Sequence, residues 1–97
     1  MNLIKEPEAK PLRKDQLRAI CIVFEVCETI ANVFSQVDAF EVGAPTEATA
    51  TLCELERDLS GYFDSALAIE VPWDRIAWIV QQRVPDPIKT RFIQSKR

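Results

Sequence analysis

The stretch Leu17-Arg18-Ala19-Ile20-Cys21-Ile22-Val23-Phe24-Glu25-Val26-Cys27-Glu28-Thr29-Ile30-Ala31-Asn32-Val33-Phe34 decides between helix and strand. Leu17, Ile20, Phe24, Cys27, Ala31 and Phe34 recur at alternating steps of three and four, the stripe of a core-facing helix. A second apolar row of Ile22, Val26, Val33, Val37 and Phe40 runs beside it. Lys14, Arg18, Glu25, Glu28, Thr29, Asn32, Ser35 and Gln36 are confined to an arc of roughly a third of the circumference at about 100° per residue. A rod this apolar is not satisfied by one neighbour: it must lie centrally in a bundle or also meet another chain. Ile20 to Phe24 is rich in β-branched and aromatic residues and would suit a strand. The stripe continues past any ordinary strand length without a turn signal, which favours the helix.

Working outward, Glu41-Val42-Gly43-Ala44-Pro45 breaks the pattern, with Gly43 suited to a turn and Pro45 to a helix start. Ala48, Leu52, Leu55, Leu59, Phe63 and Ala66 make a second, narrower stripe backed by Glu54, Arg57, Asp58 and Asp64. Gly61 inside it costs roughly 1 kcal/mol relative to alanine, which a close helix crossing or a break before Tyr62 would explain. Pro72 and Asp74 open a third helix faced by Trp73, Ile76, Ala77, Val80 and Val84, and Pro85 stops it. Asp86-Pro87 reads as a capping residue followed by a first-turn proline. The expectation is an all-α single domain: two longer antiparallel helices, about 12–40 and 45–68, closed by a shorter pair, about 72–84 and 87–94. Residues 1–11 form a flexible lead-in in which Leu3 and Ile4 are the candidates for docking. Residues 95–97 fray.

Composition narrows function more than it identifies it. The 97 residues are 47% hydrophobic and 28% charged, which suits one folded core and argues against wholesale disorder. Two glycines are too few for the turns of a sandwich or barrel. The chain has no histidine, the commonest general base and a common zinc ligand. Cys21, Cys27 and Cys53 are odd in number and lack close-pair spacing, so they are expected to be buried free thiols in a reducing cytoplasm. The first residues lack the apolar run of a signal peptide, and the longest such run, Ala19 to Phe24, is too short to span a membrane.

No phosphate-cradling glycine loop or nucleophile elbow occurs. Glu54 and Glu56 point to different sides of a helix, and Glu54 with Asp58 reads as solvated surface rather than a cation site. No catalysis, cofactor or metal is therefore expected.

Charge and aromatics supply the functional expectation. Residues 1–18 carry a net +2, residues 19–70 a net −9 and residues 71–97 a net +4. Either the basic ends neutralise the acidic middle within the chain, or the acidic surface meets a basic region of another protein, such as a nucleic-acid-handling enzyme. Trp73 and Trp78 diverge by about 140° on a helix, so one should enter the core and the other an interface. The candidate protein-binding residues are Trp73, Trp78, Ile79 and Tyr62, with Glu54, Asp58, Arg83 and Phe92 beside them.

The expected function is a non-catalytic interaction module that inhibits, masks or recruits a larger protein. Small acidic helical proteins of this class are common among phage and mobile-element accessories acting on a host enzyme. Two alternatives are a regulator touching nucleic acid through the basic last helix (Arg83, Lys89, Arg91) and a homo-oligomer formed through the first helix. The acidity of the whole chain argues against direct nucleic-acid binding.

Overall fold

A computed structural model of the chain describes residues 5–8, 10–38 and 47–97. The described residues form four helices and no strand: α1 (Lys14–Asp38), α2 (Glu47–Ala68), α3 (Trp73–Arg83) and α4 (Asp86–Ser95). The expected all-α bundle is correct. Leu3, Ile4, Phe40, Gly43 and Pro45 lie outside the described residues.

Side-chain contacts fix the helix directions. Arg13 and Gln16, at the start of α1, both reach the Ile69 carbonyl just beyond the end of α2, so these two helices are antiparallel. Arg83, at the end of α3, pairs with Glu28 past the middle of α1, while Arg75, one turn into α3, bonds the Glu8 carbonyl ahead of α1. Thus α3 ascends beside α1. Along α4, Arg91 meets Glu56 and Lys96 meets Ser60 and Asp64, so α4 descends with α2. The core joins all four helices through residues such as Val23, Ile30, Leu59, Phe63, Ile76, Val80, Ile88 and Phe92.

The apolar excess of α1 is explained by its having two neighbours, α2 and α3. Its buried centre, however, is displaced from the expected stripe. Val23, Cys27 and Ile30 are fully buried, whereas Leu17 remains 48% and Phe24 37% exposed. Gln16 lies in line with Val23 and Ile30, at steps of seven, and is buried with them, bonded to the end of α2. Its Oε1 accepts the Arg13 backbone N–H at 2.9 Å, and its Nε2 donates to the Ile69 carbonyl at 3.0 Å. Arg13 also supplies the carbonyl for the Leu17 N–H, which makes it the N-cap and Gln16 the third residue inside, in half of a capping box.

Helix α2 ends without glycine. The Val71 N–H bonds to the Ala66 carbonyl and the Glu70 N–H to the Leu67 carbonyl, with Glu70 at φ 68°. This is the Schellman pattern, with buried Val71 supplying the apolar contact back to the helix. A left-handed conformation is strained for a residue with a Cβ. Glu70→Gly is therefore expected to raise the unfolding free energy by about 0.5–1 kcal/mol, read as a higher midpoint in urea. An unchanged or lower midpoint would contradict this account of the corner.

Gly61 corrects the sequence expectation twice. Helix α2 is unbroken through it, and nothing lies within 4 Å of where its Cβ would stand, so no close crossing requires it. Pro72 is the N-cap of α3, and Pro85, not Asp86, is the N-cap of α4. Asp86 sits inside the first turn and pairs with Lys89. The last residues are engaged: the Lys96 carbonyl accepts Trp73 Nε1 at 2.9 Å, and the Arg97 guanidinium lies 5.5 Å from the centre of the Trp73 ring.

Candidate protein-interaction surface

The structure divides the sequence-predicted residues among three places. Trp73 and Phe92 belong to the interior. Phe92 is buried with its ring edge-to-face on Phe63 at 5.6 Å, so its assignment to a binding surface is corrected: its face of α4 turns inward. Trp73 packs its ring against Phe63 at 6.5 Å and spends its indole N–H on Lys96. It is the tryptophan that joins the core, while Trp78 stays outside the core cluster.

Trp78 and Ile79 line an open groove of about 230 Å³ between α3, Ile20 of α1 and the crossing residues Glu6 and Pro7. Arg75 closes one side and holds the crossing segment by donating from Nη1 to the Glu8 carbonyl at 3.0 Å. The groove exists because Trp78 and Ile79, adjacent in sequence, point about 100° apart. Ile79 packs against the core, and Trp78 forms the outer wall.

Next to it, Arg83 lies with its guanidinium 4.7 Å from the Phe24 ring centre and 3.1 Å from Glu28. Arg83 thus orders the exposed flank of α1 and is not a free cation. Ile20, Pro7 and Arg75 did not emerge from the sequence because only the fold brings the lead-in against α3. Leu17 and Phe24 were legible as apolar, yet the stripe assigned them to the core.

Tyr62, 43% exposed, belongs to the outward side of α2 with exposed Glu54 and Asp58. This patch is separate from the Trp78 groove, because α1 packs against both α2 and α3. Elsewhere the acidic middle is answered from within the chain. Arg91 Nη2 donates to both oxygens of Glu56 at 2.7 and 2.8 Å, Lys96 pairs with Asp64 at 2.9 Å, Arg83 with Glu28 at 3.1 Å and Arg13 with Glu70 at 3.8 Å. Exposed pairs of this kind contribute little stability, but they set Arg13, Arg83, Arg91 and Lys96 beside carboxylates of the same chain.

The thiols also require correction. Cys27 is buried, but Cys21 and Cys53 are exposed, since a six-residue spacing turns Cys21 about 120° away from Cys27. Burial, with the neighbouring Glu28 charge, pushes the Cys27 thiol up to about 12, which leaves it protonated and unreactive. Among the described residues, no three acidic or cysteine side chains converge to hold a metal ion, and no helix is long and apolar enough to cross a membrane. No family model matches the chain, and no curated protein or solved structure shows significant similarity to it.

Proposed function

We propose that the protein is a non-catalytic interaction module that binds a larger protein and thereby masks or recruits it. The groove walled by Trp78 and Ile79 is the observation that carries this reading. A rigid aromatic beside an aliphatic floor is the composition of an anchor pocket, and partly buried tryptophan is the side chain most enriched where binding energy concentrates. The occupant is a protein segment presenting one apolar side chain.

The module works in a reducing compartment such as the cytoplasm, where exposed Cys21 and Cys53 persist as thiols. An accessory role toward a nucleic-acid-handling enzyme accords with the net charge of −9 over residues 19–70, which suits a partner with a basic surface. The alternative of a basic C-terminal end touching nucleic acid is disfavoured by the pairing of Arg83 of α3, and of Lys89 and Arg91 of α4, with carboxylates.

Affinity capture with the wild-type chain, Trp78→Ala and Tyr62→Ala tests the assignment. The expected result is a partner held by the first and third proteins and bound at least about tenfold more weakly by Trp78→Ala, with its unfolding still cooperative. Equal retention by Trp78→Ala would remove the groove from the function.

A further inference from the structure

The exposed side of α1 repeats a pattern that reads the same when the helix is reversed. Cys21 is exposed at its centre. Leu17 and Phe24, four residues before and three after, are the large apolar side chains of α1 that stay most exposed. Basic residues precede the centre, Arg18 by three and Lys14 by seven. Acidic residues follow it, Glu25 by four and Glu28 by seven. All six flanking positions fall within about 60° of Cys21 around the helix at 100° per residue, so they share one strip.

We infer that this strip is the interface of a homodimer, in which α1 of a second copy lies antiparallel with the two-fold axis at Cys21. Reversal about Cys21 brings Lys14 level with the second copy's Glu28, and Arg18 within one residue of its Glu25. Both ends of the contact are thereby charge-matched. A parallel arrangement would set base on base and acid on acid, which is repulsive. The self-complementary layout is what a two-fold interface requires, because each patch must fit itself.

A cysteine at the crossing lets the helices approach to the usual 8–10 Å between axes, near the lower limit for packed helices, while Leu17 and Phe24 fill the space on either side. The flank is also ordered in advance. Arg83 stacks on Phe24 and bridges to Glu28 within the same subunit, so little side-chain freedom remains to be lost on association. Ile20 borders the strip, about 40° from Phe24 around the helix, whereas Trp78 belongs to α3 and is not among the strip's residues.

Sedimentation equilibrium of the full chain in reducing buffer over the micromolar range tests the inference, with circular dichroism showing that each variant keeps its helices. A reversible dimer is expected. Leu17→Glu and Phe24→Glu should each be monomeric, whereas Trp78→Ala should dimerise normally, which separates this interface from partner capture. The acidic-strip pair Lys14→Glu/Arg18→Glu and the basic-strip pair Glu25→Lys/Glu28→Lys should each self-associate at least about tenfold more weakly. Mixed together they should form a heterodimer. A short bis-maleimide should join copies of Cys53→Ser but not of Cys21→Ser. A monomer throughout the range would overturn the proposal. So would a dimer indifferent to Phe24→Glu and to the charge reversals, or cross-linking that proceeds through Cys53.

Discussion

Replacing Phe63 by alanine is expected to lower the unfolding free energy by about 3–5 kcal/mol. Phe63 is fully buried on α2, and its ring meets Trp73 of α3 and Phe92 of α4 edge-to-face at interplanar angles of 70° and 69°. One side chain therefore ties three helices. Its removal forfeits the transfer free energy of a phenyl group, leaves a cavity that three helix backbones cannot all close, and abolishes two aromatic contacts. A domain of this size has only about 5–15 kcal/mol in total, so the variant should forfeit a large share of its stability. Urea titration followed by circular dichroism and tryptophan fluorescence measures the loss. Phe63→Leu, which keeps most of the volume, should lose only about 1–2 kcal/mol. If alanine costs less than about 1 kcal/mol, a figure typical of surface positions, the aromatic trio does not hold α3 and α4 in place.

Gln16→Leu carries the second-largest expected effect, a loss of about 1–3 kcal/mol. The substitution keeps the side chain's bulk and raises its apolarity, so hydrophobic bookkeeping alone would predict stabilisation. The opposite is expected because both amide ends are used: the Arg13 N–H loses its acceptor and the Ile69 carbonyl loses one of its two side-chain donors. Gln16→Glu sharpens the test. Its carboxylate would keep the bond from the Arg13 N–H but could not donate to the Ile69 carbonyl, which would retain the Arg13 guanidinium as its side-chain donor. A smaller loss of stability than in Gln16→Leu is expected at neutral pH, because the accepting half of the pair survives at the start of the helix. Equal losses in the two variants, read from urea midpoints, would show that the bond to the Arg13 N–H contributes nothing.

The architecture was legible because apolar periodicity and proline placement are local signals. Pro72 and Pro87 marked the two later helix starts to within a residue or two, and the stripe through Leu52, Leu59, Phe63 and Ala66 is buried as expected. The rotation of α1 was not legible, since a periodicity argument sorts glutamine with the solvent. Gln16 reverses that sorting only through a carbonyl 53 residues away. The corner at Glu70 was hidden for a similar reason, because the usual signature of a left-handed cap is glycine and the chain uses a glutamate. Of the candidate binding residues, Trp78 and Ile79 were identifiable from their divergent angles on one helix. The opposite wall, Pro7 and Ile20, depends on where the lead-in crosses, and nothing in its composition encodes that crossing. Phe92 was misassigned because a single aromatic among cations looks the same on a wet helix face as on a dry one.

The burial of Cys27 between two exposed thiols gives the molecule a gauge of its own opening. A maleimide or iodoacetamide added at neutral pH would alkylate Cys53 at once and Cys21 whenever two copies separate, and a third adduct could form only when α1 parts from its neighbours. Timed mass spectra of the native protein would then count excursions of the central helix without any introduced probe. The same sulfur sets an upper bound on tolerated alkalinity. In the open chain it ionises near its free value of about 8.5, in the closed one only near 12, so hydroxide draws the ensemble progressively toward disassembly between those limits.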